Sequence, residues 1–227
     1  MAAYNEADRI AATLAALAGA FAGAAVWVAD DGSRDATAEI ARAGGARVVR
    51  SERVIGKGGA MTLAAREALR EASAATAAPG GPRAAPVFVL CDGDLAESAV
   101  HLPELARAVR AGRADVAVAA FSRRVGGGVG AALGFARWAI ARRCGLRTSA
   151  PISGQRALSA RALRDVLPFA DGYGMEIGMT IDAVRAGHRV VELELDLSHR
   201  ASGRTLAGFA HRGRQLIDFA RVYLARR

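Results

Sequence analysis

Twice in this chain a short apolar run stops at paired carboxylates and a glycine. Ala25-Val26-Trp27-Val28-Ala29 meets Asp30-Asp31-Gly32-Ser33, and Val87-Phe88-Val89-Leu90-Cys91 meets Asp92-Gly93-Asp94. Apolar runs of this length, bounded by turn signals, read as buried strands. Around them lie segments of helical period: residues 6–20 with Ile10, Leu14 and Leu17 on one face, residues 36–43, and residues 60–74 behind Gly56-Lys57-Gly58-Gly59. Strands alternating with helices call for a mainly parallel sheet covered on both faces, a three-layer α/β fold. In such sheets ligands gather outside the carboxyl ends of the strands, where both acidic turns fall. Asp92 and Asp94, with a glycine that lets a ligand approach the backbone, make a seat for a divalent cation carrying a diphosphate.

The remaining chain continues the alternation. Residues 74–86, rich in proline and glycine, form a surface loop. A helix near 99–111 precedes a strand at 115–121, and Arg123-Arg124-Val125-Gly126-Gly127-Gly128 reads as a basic, mobile lid. Residues 130–145 are helical in pattern, and Ser153-Gly154-Gln155-Arg156 reads as a turn before a helix at 159–166. Gly172-Tyr173-Gly174-Met175-Glu176 opens a helix to Ala186, and residues 190–197 form a last strand. The tail, residues 205–227, is a basic amphipathic helix appended to a domain of residues 1–204. Its apolar stripe is Leu216, Ile217, Ala220, Tyr223 and Leu224. Such a helix can dock on its own domain, pair two copies or lie on an acidic membrane.

Composition sets the outer limits. A hydrophobic content of 52% and a mean hydropathy of +0.16 exclude a disordered chain. No run of 18 uncharged apolar residues predicts a membrane span, and charged residues from Glu6 onward leave no signal peptide. Two cysteines, Cys91 and Cys144, make no disulfide framework and suit a reducing compartment. The expected location is therefore cytoplasmic, with the inner face of the membrane as a peripheral alternative. The net charge of +9 points to anionic partners, among which nucleic acid ranks last for want of a motif and of aromatics. Of the 31 basic side chains only Lys57 is a lysine, and Asn5 is the only asparagine. Each singleton marks a position where the coding bias of the chain did not prevail.

In order and spacing, Tyr4-Asn5-Glu6, Asp30-Asp31-Gly32-Ser33, Gly56-Lys57-Gly58, Asp92-Gly93-Asp94 and Ser198-His199-Arg200 resemble family 2 glycosyltransferases of the GT-A fold. The second half is similar to glucosyl-3-phosphoglycerate synthases and to polyprenyl-phosphate sugar transferases. The resemblance implies a nucleoside-diphosphate sugar donor, UDP- or GDP-linked, and a phosphorylated acceptor such as phosphoglycerate or a polyprenyl phosphate. It implies that Ala3, Tyr4, Glu6, Asp30 and Asp31 hold the nucleoside, and that Lys57 contacts base or diphosphate. Asp92, Asp94 and His199 would hold Mg²⁺ or Mn²⁺, and Tyr173 and Glu176 would face the donor sugar. Asp94 and Glu176 would be catalytic, Glu176 as the base for a hydroxyl acceptor, since a phosphate acceptor needs none. Arg156, with Arg123 and Arg124, offers donors to an acceptor phosphate or carboxylate. Asp31 and Asp35 also fit a helix N-cap, and Asp182, two turns into its helix, reads as buried or capping.

The same resemblance exposes a departure. The family has a strand ahead of its Ala-Tyr-Asn-Glu motif, and here Met1 stands almost on it. The expected fold therefore lacks its first strand, and the natural start is expected upstream. A catalytically silent nucleotide-binding or membrane-associated partner is the rival reading. A sugar nucleotidyltransferase would need a basic glycine-rich loop within residues 3–9, and a dehydrogenase a G-x-G-x-x-G turn; neither is present.

Overall fold

The computed structural model describes residues 1–81, 84–121, 130–197 and 206–226. The described strands form two hydrogen-bonded groups. In the first, β1 (Ala2–Ala3), β2 (Trp27–Asp30) and β3 (Arg47–Arg50) run parallel in the order β1-β2-β3. In the second, β4 (Val87–Leu90), β5 (Val116–Phe121), β6 (Arg156–Ser159) and β7 (Val190–Leu195) take the order β4-β6-β5-β7, with β6 antiparallel to both neighbours and β5 parallel to β7.

A seam joins the two groups. Ala2 pairs in parallel with Asp92, its N–H donating to the Cys91 carbonyl at 2.9 Å and its carbonyl accepting from Gly93 N–H at 2.8 Å. The first strand, expected to be missing, is present as two residues that bridge β2 and β4. From β1 the chain builds β2 and β3 to one side, then returns to start β4 on the other. That reversal is a topological switch point, where open α/β sheets bind ligands.

Helices cover both faces. On one lie α1 (Ile10–Ala20), α2 (Thr37–Ala43) and α4 (Pro103–Arg110), the last entered through a 3-10 turn at Ala96–His101. Ile10, Leu14, Leu17, Leu102 and Leu105 pack there with Val28 and the inward alanines of β5, Ala117 and Ala119. On the other face lie α3 (Lys57–Ala77), α6 (Ala160–Asp165) and α7 (Met175–Arg185), where Met61, Leu163, Met175 and Met179 meet Val116 and Val118. The period-2 alternation of β5 thus feeds two cores at once. Each fully buried leucine or isoleucine in them contributes about 1.5–3 kcal/mol.

Two helices form an outer layer. α5 (Gly130–Cys144) and α8 (Leu206–Ala225) pack on α7 through Ala136, Ile140, Ile177, Ile181, Phe219 and Val222. Arg226 clamps Asp182 through two bonds, at 2.7 and 2.6 Å. The docked face of α8 is therefore Phe219 and Val222, and the stripe read from the sequence faces outward. Among the described residues no helix is long and apolar enough to cross a membrane.

A second element that the sequence reading misses is β6. Residues 153–156 were expected as a turn, but Arg156 opens a strand between β4 and β5. Ser159 then caps α6, accepting from Ala162 N–H at 3.1 Å.

Candidate functional site

The carboxyl ends of β1, β2 and β4 converge at the seam, and the first turns of α3 and α7 face them. Lys57, the first residue of α3, places its ammonium between two carboxylates. Nζ lies 2.6 Å from Asp92 Oδ1 and 2.8 Å from Glu176 Oε1. Gln155 donates to the other Asp92 oxygen at 2.8 Å. Burial alone would pull the Lys57 ammonium down, but Asp92 and Glu176 outweigh it and hold it above the ordinary lysine range. Burial pushes Asp92 up, and Lys57 and Gln155 reverse the sign, holding it below the usual carboxylate range.

Close packing fixes this cluster. A Cβ on Gly154 would stand 2.7 Å from both Lys57 Nζ and Asp92 Oδ2, so a larger residue there would have to displace the pair. A Cβ on Gly58 would come within 1.8 Å of the Ala170 carbonyl, which ties the start of α3 to the segment leading into α7. Thr13, fully buried on α1, supports the acidic turn from below. Its hydroxyl donates to Gly93 O at 2.8 Å and accepts from Ala96 N–H at 2.9 Å. Arg9 reaches the Asp94 carbonyl at 3.3 Å. Gln155 lies in the Ser153-Gly154-Gln155-Arg156 segment read as donors to an acceptor, and here it holds Asp92 instead; no motif pointed to Thr13, because a buried threonine opposite a glycine-broken turn shows its role only in three dimensions.

Asp30 is fully buried, accepting from Ser33 N–H at 3.0 Å and pairing with Arg50 Nε at 3.2 Å. Asp31 accepts from the N–H groups of Ile55 at 2.7 Å and Gly56 at 2.9 Å, and so shapes the loop ahead of Lys57. Both aspartates hold the strand-end architecture; Asp31 does not cap α2, whose N-cap Ala36 has no side-chain capping bond. Asn5 has φ of 54° and accepts from Arg34 N–H at 2.8 Å. Asparagine tolerates that left-handed backbone, which accounts for the lone asparagine. Beside it Ala3 is buried, Tyr4 is exposed, and Glu6 donates its backbone N–H to Thr37 Oγ1 at 2.8 Å.

One expectation needs correction. Arg156, expected at an acceptor phosphate, is 1% exposed; it donates to Ser153 O at 2.8 Å and Thr180 Oγ1 at 2.9 Å. Burial pushes its guanidinium down to about 10, against the pull of Glu176 and Glu192. It lies beneath the cluster as a countercharge, where an acceptor does not reach it. Asp92, expected as a metal ligand, here bonds Lys57 through one oxygen and Gln155 through the other. Among the described residues no three His, Cys, Asp or Glu side chains gather closely enough to hold a metal. His199, Arg123 and Arg124, and with them the lid, lie outside the described residues.

A cleft of about 470 Å³ opens beside Lys57. Val54, Gly56, Gly172 and Tyr173 line it, and α8 closes it with Ile217, Asp218 and Arg221. Asp218 accepts from Tyr173 N–H at 3.2 Å, while Cβ atoms on Gly172 and Gly174 would collide with Asp218 and Val222 at 2.2 and 2.3 Å. The turn between Lys57 and Glu176 is thus seated on α8.

The family model described as "Glycosyl transferase family 2" matches residues 1–138. An undecaprenyl-phosphate mannosyltransferase of Micrococcus luteus is 29% identical over 99% of this chain and 92% of its own length. Glucosyl-3-phosphoglycerate synthase of Mycobacterium tuberculosis, solved with Mn²⁺, UDP and glucosyl-3-phosphoglycerate, superposes with a TM-score of 0.70 at 27% identity, over 99% of this chain and 77% of that one. The same enzyme with Mg²⁺ and UDP gives 0.71 at 28% identity, over 99% and 76%.

Proposed function

The chain belongs to glycosyl transferase family 2 and shares the GT-A fold of its structural neighbours, and from that premise we propose that it moves a hexose from a UDP-sugar to a phosphorylated acceptor. The observation that carries this reading is Lys57 locked between Asp92 and Glu176 at the switch point of the sheet. Support for UDP comes from the neighbours solved with it, and support for a phosphorylated acceptor from both sets of relatives.

In this reading the nucleoside lies against Ala3–Glu6 and the Asp30-Asp31 turn, with the exposed Tyr4 ring as a face for the base. The diphosphate lies over Lys57 and Asp94, and the sugar reaches toward Tyr173 and Glu176. A carboxylate turn split by Gly93, whose Cβ would press on the Ala2 carbonyl at 3.1 Å, suits a hard divalent cation. Asp92 and Asp94 would hold Mg²⁺ or Mn²⁺, with His199 as the partner that the resemblance supplies. When bound, the cation neutralises charge on the departing nucleoside diphosphate.

Lys57 supplies fixed positive charge at the same place, needing no reorganisation as the leaving group develops. An acceptor oxygen bonds to the anomeric carbon as the bond to the diphosphate breaks. A phosphate acceptor brings no proton to remove; a hydroxyl acceptor would give its proton to Glu176. The two free cysteines suit a cytoplasmic setting, where nucleotide sugars are available.

The test is calorimetric titration of UDP and GDP, each with and without Mn²⁺. Mn²⁺-dependent binding of UDP is expected, and Asp94→Ala should remove the Mn²⁺ dependence while thermal unfolding stays within about 2 °C of the parent. A folded protein that binds neither nucleotide would end this reading.

A further inference from the structure

The inner face of α8 is committed to the domain through Phe219 and Val222, 1% and 4% exposed; its outer face is not. Leu216, Ile217 and Leu224 are 37%, 53% and 52% exposed. With Ala220 they fall within a single arc of about 100° on a helix that turns 100° per residue. Tyr223 closes one edge of that arc and stacks on Trp138 of α5, ring centroids 4.8 Å apart. Trp138 also meets Phe135 at 5.5 Å, yet remains 49% exposed.

Arginine rims the patch. The Arg143 guanidinium lies over the Tyr223 ring at 3.6 Å, and Arg137 and Arg142 are exposed on α5. α5 carries three arginines and no carboxylate, and α8 a single carboxylate. That carboxylate, Asp218, faces the Tyr173 N–H and Arg221. Apolar side chains, an aromatic edge and unopposed arginines on one surface are the attributes of an interfacial helix on acidic lipid.

We propose that the outer face of α8, together with Trp138, docks this protein on an anionic lipid surface. The occupant is argued from charge: a second copy would bring the same arginines against these, whereas anionic headgroups complement them. One consequence rests on the transferase reading. Ile217 and Arg221 line both the outer edge of α8 and the cleft beside Lys57, so a helix lying on lipid would turn that cleft toward an acceptor whose phosphate carries an apolar tail.

Co-flotation with vesicles of phosphatidylglycerol and phosphatidylcholine, against phosphatidylcholine alone, tests the docking. The full chain should partition onto the anionic vesicles, release them at high salt, and lose at least about tenfold in partitioning as Leu216→Glu/Leu224→Glu. Neither leucine lines the cleft, and both are exposed, so the variant should keep its circular dichroism and its UDP titration. Trp138 emission, read against Trp138→Phe, should shift to the blue on anionic vesicles. Absence of partitioning would overturn the proposal, as would a dimer in light scattering that the double variant abolishes without any vesicle binding. UDP binding without vesicle binding would sink the docking and leave the transferase reading standing; the converse would do the reverse.

Discussion

Lys57 links three parts of the chain that are distant in sequence: the start of α3, the end of β4 and the start of α7. Removing it would leave Asp92 and Glu176 facing each other without a cation. Breaking a buried pair on one side costs about 3–5 kcal/mol. With Lys57 24% and Asp92 31% exposed at their side chains, about 1–3 kcal/mol is the better expectation. Lys57→Met should therefore lower the urea midpoint and weaken UDP binding, and adding Glu176→Gln should restore part of the stability, as a double-mutant cycle would show. The pair also fixes a pH dependence. Asp92 has its carboxyl depressed by folding, so its stabilisation is present above the unfolded value of 3.8 and fades as pH falls through the lower folded value. Lys57 is raised by folding, so its share is complete below 10.5 and fades only at still higher pH. Stability followed by denaturant unfolding should thus be level across neutral pH with respect to this pair and fall on the acid side first. A steady rise in stability from pH 5 to pH 2 would contradict the pairing. That Lys57 mattered was visible in its being the only lysine; that its partners are Asp92 and Glu176 together was not, because nothing in the spacing of residues 57, 92 and 176 records a meeting across three elements.

At the scale of elements, the turn at 170–174 is pressed from both sides, by α3 at Gly58 and by α8 at Gly172 and Gly174. Gly174 has φ of −77°, so alanine is acceptable there to the backbone and collides chiefly with Val222 Cγ2 at 2.3 Å, with a milder contact to the Asp218 carbonyl at 3.3 Å. Gly174→Ala should cost about 1–3 kcal/mol by overpacking. Combining it with Val222→Ala should return stability beyond the additive sum, in thermal melts of the four proteins. Equal losses that simply add would mean that α8 does not bear on this turn. Long periodic elements were readable from sequence: α1, α3 and α7, and strands β2, β4, β5 and β7, lie close to where apolar spacing put them. β6 was not, because Arg156–Ser159 offers four residues with no period and follows a glycine that reads as a turn. The docked face of α8 was also missed. Its sequence holds two apolar stripes, and the one with more large side chains, Leu216, Ile217 and Leu224, is the one left outside.

Seen whole, the described residues form two groups of strands joined on two residues, with the acidic turns gathered at that join and, Arg156 apart, the described arginines toward the exterior. The net charge of +9 draws anionic species in general, while the switch point selects among them by shape and by the few groups that converge there. The uniqueness of Lys57 has a further consequence for chemistry done on the protein. A reagent that acylates primary amines finds a single ε-amino group in 227 residues, held between two carboxylates at the mouth of the cleft, and one α-amino group, at Met1, that is itself buried and donates to the Trp27 carbonyl at 2.7 Å. Arginine, the other 30 cations, does not react. Such a reagent should label slowly and at one side chain, read by intact mass and peptide mapping, and a nucleotide covering Lys57 should slow it further. The rate of that one acylation is then a direct gauge of occupancy, and any conjugation through lysine would be stoichiometric and aimed at the site.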